Sequence, residues 1–172
     1  MQNQNQQRLQ EKLPSNTLSD TYRWFVLAHP NPTSKQFSTQ TGVHFEEVAE
    51  MIEEIRPLSA KADYLLHDAK VALNALATYL KQNDGVITVL EGNLPGFLDA
   101  LCDQIVTATG VGRDCGFPMV EAMEEVNASN WSKFDEDGKP NFDSNGKITK
   151  GPNYFKPNLK QFIPSLVPAA TE

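Results

Sequence analysis

Two adjacent stretches limit the possible folds of this chain more than any other feature. TGVHFEEVAEMIEEIR, residues 41 to 56, sets Phe45, Val48, Ala49, Ile52 and Ile55 on one stripe at helical spacing, and Pro57 closes it. Ser59 then precedes AKADYLLHDAKVALNALATYLKQN. Here Leu65, Leu66, Ala69, Leu73, Leu76, Ala77 and Leu80 recur with the same period until Asp84-Gly85 ends it. The pattern predicts an amphipathic helix with an acidic face, followed by a long helix.

Three further segments read as helices. SDTYRWFVLAH, from Ser19, has a capping residue and dense apolar content, and Pro30 stops it before the loop PNPTSK. LPGFLDALCDQIVTATG has Asn93 as its cap, Pro95 near the first turn and Gly110 near the end. Its apolar residues cover about half of the helical wheel, so it is expected to be central. FPMVEAMEEVNASNWSKF begins near Pro118, and no helix is expected beyond Asp135.

The tail instead repeats itself, as Phe134-Asp-Glu-Asp-Gly-Lys and Phe142-Asp-Ser-Asn-Gly-Lys, which predicts two turns around a short hairpin. A Ca²⁺ loop of the EF-hand type fits poorly, because the glutamate needed at position 12 would fall on Gly146 or Tyr154. A proline-punctuated strip, GPNYFKPNLKQFIPSLVPAATE, follows. The expected fold class is therefore all-α: a four- or five-helix bundle with a small C-terminal β-hairpin and an extended tail. Residues 1–14 are expected to be a polar tail and residues 15–172 a single domain.

Composition narrows the function classes. A chain of 172 residues can bury a core without staples, and no apolar run approaches the roughly 20 residues of a membrane span. No membrane association is expected. The opening MQNQNQQRLQEK lacks the apolar stretch of a secretory signal, which predicts a cytoplasmic location. Cys102, inside LDALCDQIV, reads as a small buried hydrophobe and not as half of a disulfide framework. A net charge of −7 argues against nucleic acid as a partner and implies that any phosphate is handled through a metal.

The acids are placed to hold one. Glu46, Glu47, Glu50, Glu53 and Glu54 crowd one helix, where like charges three and four apart repel. Solvation alone is the bland account of such a run. A second pair, Asp99 and Asp103, sits among Leu98, Leu101, Cys102, Ile105 and Val106. If that helix is buried, Asp103 needs a partner, and the helix has no base from Leu94 to Gly110. Oxygen ligands from facing helices suit Mg²⁺. Asn127, Asn130 and Lys133 recur at three-residue spacing as amide and ammonium donors, although a fraying helix end would look the same.

Taken together, GVHFEEVAEMIEE, LDALCDQIVTATG, EEVNASNWSKF and KGPNYFKPNL resemble the MazG-like all-α nucleoside triphosphate pyrophosphohydrolase superfamily, particularly its phosphoribosyl-ATP-pyrophosphohydrolase-like branch. The likeness spans roughly residues 20 to 160. It implies that Glu47 and Glu50 form the family's Glu-x-x-Glu pair, with Glu46 as the doubled glutamate before it, and that these and Asp103 ligate Mg²⁺ and serve catalysis. Mn²⁺ is an admissible substitute. Ala100 stands where the commonest pattern has a glutamate three before Asp103, and Asp99, one turn back, replaces it as a ligand. Asn127, Asn130 and Lys133 match the region that meets the triphosphate, with Lys150 and Tyr154 contributing from the tail. Gln40 and His44, on the turns before Glu47, are candidates for contact with the base or a carboxylate. His44 reads equally as a structural partner of the acidic helix.

The resemblance implies cleavage of a nucleoside triphosphate between the α and β phosphates, giving the monophosphate and pyrophosphate. It also implies a homodimer or homotetramer. The alternative is a metal-dependent nucleotide-binding module without turnover.

Overall fold

The computed structural model describes residues 16–142 and 148–164, and they fold as five α-helices. These are α1 (Thr17–Ala28), α2 (Ser34–Glu53), α3 (Ala60–Gln82), α4 (Leu94–Asp114) and α5 (Met119–Trp131). Short 3₁₀ turns, Glu91–Asn93 and Leu159–Phe162, precede α4 and follow α5. No strand occurs among the described residues, and none of these helices is long and apolar enough to cross a membrane. The chain divides into two compact units: residues 31–94, and residues up to 30 together with those from 95 onward.

The first of these units is the pair α2 and α3. Helix α2 starts two turns before the expected point, because Thr33 and Gln36 form a capping box. The Thr33 side chain accepts from the Gln36 N–H, and Gln36 Oε1 accepts from the Thr33 N–H at 3.0 Å. The last two residues of the expected loop PNPTSK, Ser34 and Lys35, are thereby recruited into helix. Ser59 caps α3 as its position suggests, accepting from the Ala62 N–H at 3.1 Å.

The helices run antiparallel. Ser34 Oγ donates to Asp84 Oδ1, and Lys35 Nζ to the Lys81 carbonyl, tying the start of α2 to the end of α3. Small residues line the seam: Ser38, Gly42 and Ala49 are buried on α2, against Ala77 and Leu80 on α3. A Cβ on Gly42 would lie 2.8 Å from the Ala77 carbonyl oxygen, so only glycine permits this approach.

In the second unit, α1 packs on α5. Its Trp24 ring stacks on Phe134, with centroids 5.8 Å apart, and Phe134 meets Trp131 edge-on at 5.3 Å. Trp24 Nε1 donates to the Asn130 carbonyl at 2.9 Å, which satisfies the indole N–H inside this cluster.

Helix α4 runs four residues past Gly110 to Asp114, and Gly116 shapes the turn that follows. Gly116 has φ +78°, its N–H donates to the Arg113 carbonyl, and the Phe117 N–H donates to the Gly112 carbonyl. Contrary to expectation, α4 is not buried. Leu98 is 63% exposed and Ile105 50%, and both cysteines are exposed and free. Among the described residues of its unit, Gly112 near the α4 end meets the Met119 side chain, and no described helix covers the apolar stripe.

The expected β-hairpin is also absent among the described residues. One isolated antiparallel bridge joins Phe142 and Ile148. Residues 143–147, where the second turn was placed, lie outside the described ones. The first turn is present: Gly138 has φ +71° and its N–H donates to the Asp135 carbonyl. Asp135 Oδ1 accepts from the Asp137 and Lys139 N–H groups. This carboxylate serves its own turn. Pro140 follows directly and cannot donate to a ladder, which limits pairing on that side.

Candidate functional site

The four glutamates of α2 separate into two sets, with Glu54 just past the end of the helix. Glu46 accepts from Lys81 Nζ at 2.5 Å and Glu53 pairs with Lys70 at 2.6 Å, both lysines coming from α3. Seven residues apart, these two acids mark the side of α2 that faces its partner helix. Glu47 and Glu50 are exposed and, among the described residues, belong to no ion pair.

The Glu47 carboxyl is pushed above its ordinary range. Shielding by the surrounding protein is the largest cause, followed by the charges of Glu50 and Glu46, with His44 opposing them. Glu47 as a whole nevertheless remains exposed. Two unpaired carboxylates one turn apart, one of them resisting ionisation, form an oxygen donor set that fits a hard dication. His44 lies within electrostatic reach of Glu47, and Gln40 lies a turn earlier on the same helix.

The sign of this shift gives a prediction. An acid with a raised folded-state pKa favours folding below its unfolded value, and that contribution is lost as pH rises through the folded value. At neutral pH the Glu47 charge therefore works against the metal-free fold. Glu47→Gln should raise the melting temperature in EDTA at pH 7 by about 1–2 °C, the scale of one like-charge helix pair. The gain should shrink towards pH 4. A lower melting temperature for the variant at pH 7 would contradict this account.

Asp99 and Asp103 lie on α4, on the side away from Leu98, Leu101 and Ile105. Both are exposed. The expectation that burial forces a partner on Asp103 is thus corrected, because none of the described residues covers α4 along this stretch. Among the described residues no three His, Cys, Asp or Glu side chains gather closely enough to hold a metal ion.

On α5 the three residues at three-residue spacing do different things. Asn127 is buried at 5% exposure and joins α5 to α1: its Nδ2 donates to the Thr17 carbonyl and its Oδ1 accepts from Thr21 Oγ1, each at 2.8 Å. Asn127→Ala should remove about 2 kcal/mol, lowering the melting temperature by about 4–8 °C. An unchanged melting temperature with lost ligand binding would place this amide on a substrate instead. Asn130 and Lys133 act together, with Lys133 Nζ donating to Asn130 Oδ1 at 2.8 Å and lying 5.6 Å from the Trp24 ring centre. Lys150 Nζ sits 4.6 Å over the Tyr154 ring.

The structure thus brings together Glu47, Glu50 and His44 on one unit, and on the other forms the pairs Asn130–Lys133 and Lys150–Tyr154. Sequence reasoning passed over Lys81, which occupies Glu46, and Trp24, which flanks Lys133. It also passed over Ser129 and Ser132, whose hydroxyls hold the tail. The seven-residue spacing of Glu46 and Glu53 against the lysines of α3 was the available signal for the first.

No family model, curated protein or solved structure matches this chain.

Proposed function

We propose that the chain is a Mg²⁺-dependent nucleoside triphosphate pyrophosphohydrolase, cleaving between the α and β phosphates. The observation that carries this reading is the division of the α2 acids: ion pairs with α3 occupy Glu46 and Glu53, while Glu47 and Glu50 belong to no ion pair among the described residues and repel each other. The resemblance of the four segments supplies the reaction. Glu47 and Glu50 would hold the ion, which would supply Lewis-acid stabilisation of phosphoryl charge when bound, and the resemblance adds Asp99 and Asp103 as further candidate ligands.

The chain's own residues do the rest. Lys133, oriented by Asn130 and Trp24, takes charge on the distal phosphates, and Lys150 with Tyr154 adds to it. Of the two glutamates able to receive the attacking water's proton, Glu46 already accepts from Lys81. We therefore assign the proton to Glu50. Gln40 and His44 meet the nucleoside. The arrangement is completed as a bundle in a homodimer or homotetramer, which covers the apolar stripe of α4.

A panel of nucleoside triphosphates assayed with and without Mg²⁺ tests the reading. Metal-dependent pyrophosphate release is the expected result. Triphosphate binding without product would make the chain a nucleotide-binding module.

A further inference from the structure

Residues 148–164 stand apart within an acidic chain, because they contain Lys150, Lys156 and Lys160 and no Asp or Glu. All three lysines are exposed. Side chains of α5 grip the backbone of this segment. The Phe155 N–H donates to Ser132 Oγ at 3.1 Å, the Phe155 carbonyl accepts from Ser129 Oγ at 2.8 Å, and the Asn158 N–H donates to Glu125 Oε1 at 2.8 Å. Ser132 Oγ also donates to the Ser129 carbonyl at 2.7 Å, which turns its lone pairs towards Phe155. Glu125, Ser129 and Ser132 are four and three residues apart, so one helix face reads an extended peptide.

The grip begins earlier in the chain, at Gly151. A Cβ there would stand 3.1 Å from the Lys133 carbonyl oxygen and 3.2 Å from that of Phe134. Glycine therefore lets the strap's backbone touch that of Lys133, with Lys150 the residue just before the contact.

We infer that this strap is a fixed part of an anion-binding face that takes the distal phosphates of a linear polyphosphate, with Ser129, Ser132 and Gly151 as positioning residues that hold Lys150 and Tyr154 beside Lys133. The inference rests on the triphosphate reading above and deepens it. Docking the strap in advance removes the ordering cost that a loose tail would impose on binding, and each lysine adds a charge-assisted bond to phosphate.

Inorganic tripolyphosphate, titrated calorimetrically into the full chain without metal, tests this independently of turnover. Lys150→Gln should weaken binding about tenfold, the scale of one charged hydrogen bond, and Lys150→Arg should restore most of it. Ser129→Ala with Ser132→Ala should weaken it similarly while speeding tryptic cleavage after Lys160. Gly151→Ala, a smaller change that leaves α5 intact, should do the same. Full affinity in a chain whose strap is released, full affinity in Lys150→Gln, or no tripolyphosphate binding by the unaltered chain would each overturn the inference. Strap-dependent binding in a chain that releases no pyrophosphate from any nucleotide would sustain the inference and reject the hydrolase reading alone.

Discussion

Glu47→Gln, Glu50→Gln and Asp103→Asn should each reduce turnover by roughly a hundredfold or more while leaving the helical content unchanged. Each substitution keeps the size of the side chain and removes ligand charge. Transition-state stabilisation by a bound metal amounts to several kcal/mol, and each 1.36 kcal/mol is about tenfold in rate. Glu53→Gln is the control. Its carboxylate pairs with Lys70 at an exposed position, where such a pair contributes little, so turnover should stay within about twofold. Equal rates for the unaltered chain and all three variants would show that the acids of α2 and α4 are solvated surface.

Paired substitution of Leu98→Glu and Ile105→Glu should convert the proposed oligomer into a monomer. Both residues lie on the apolar stripe of α4, at 63% and 50% exposure. Burying such a side chain contributes about 1.5–3 kcal/mol. With roughly half of each side chain still to be covered, two per chain in a dimer amount to about 3–6 kcal/mol, or about 10²- to 10⁴-fold in Kd. Light scattering at micromolar concentration should give two or four chain masses for the unaltered protein and one for the variant. A fully active monomer of the unaltered sequence would contradict the account of α4.

The elements themselves were legible because their signals are local. The stripe from Phe45 to Ile55, the cap at Ser59 and the stop at Asp84-Gly85 need no knowledge of neighbours, and α2 and α3 follow them, with α2 ending two residues before Ile55. The extra turns of α2 were legible too, through Thr33 and Gln36, but proline and asparagine before them read more strongly as loop. The environment of α4 was not legible. An apolar stripe specifies that something should cover it, and the periodicity of one chain does not say what.

The candidate site divides in the same way. The acids were found by residue type and spacing, whereas their partners depended on tertiary contacts. Lys81 on Glu46 and Lys70 on Glu53 required the antiparallel alignment of α2 with α3. Asn127 looked like a ligand donor from its spacing with Asn130 and Lys133. Only the packing of α1 on α5 turns its amide towards Thr17 and Thr21. Ser129 and Ser132 carried no sequence signal of their own beside Asn130 and Lys133, and their hydroxyls grip the backbone of Phe155.

The central claim concerns which phosphoanhydride bond breaks. The sequence has no glycine-rich GxxxxGK[ST] loop, the device that cradles β and γ phosphates at a helix N-terminus. Carboxylates and scattered lysines remain to organise the substrate, with water attacking the α phosphorus and pyrophosphate leaving as one piece. Hydrolysis in ¹⁸O-labelled water, with both products analysed by mass spectrometry, tests this most directly. The account predicts label in the nucleoside monophosphate and none in the pyrophosphate; label in pyrophosphate, or nucleoside diphosphate and orthophosphate as products, would contradict it.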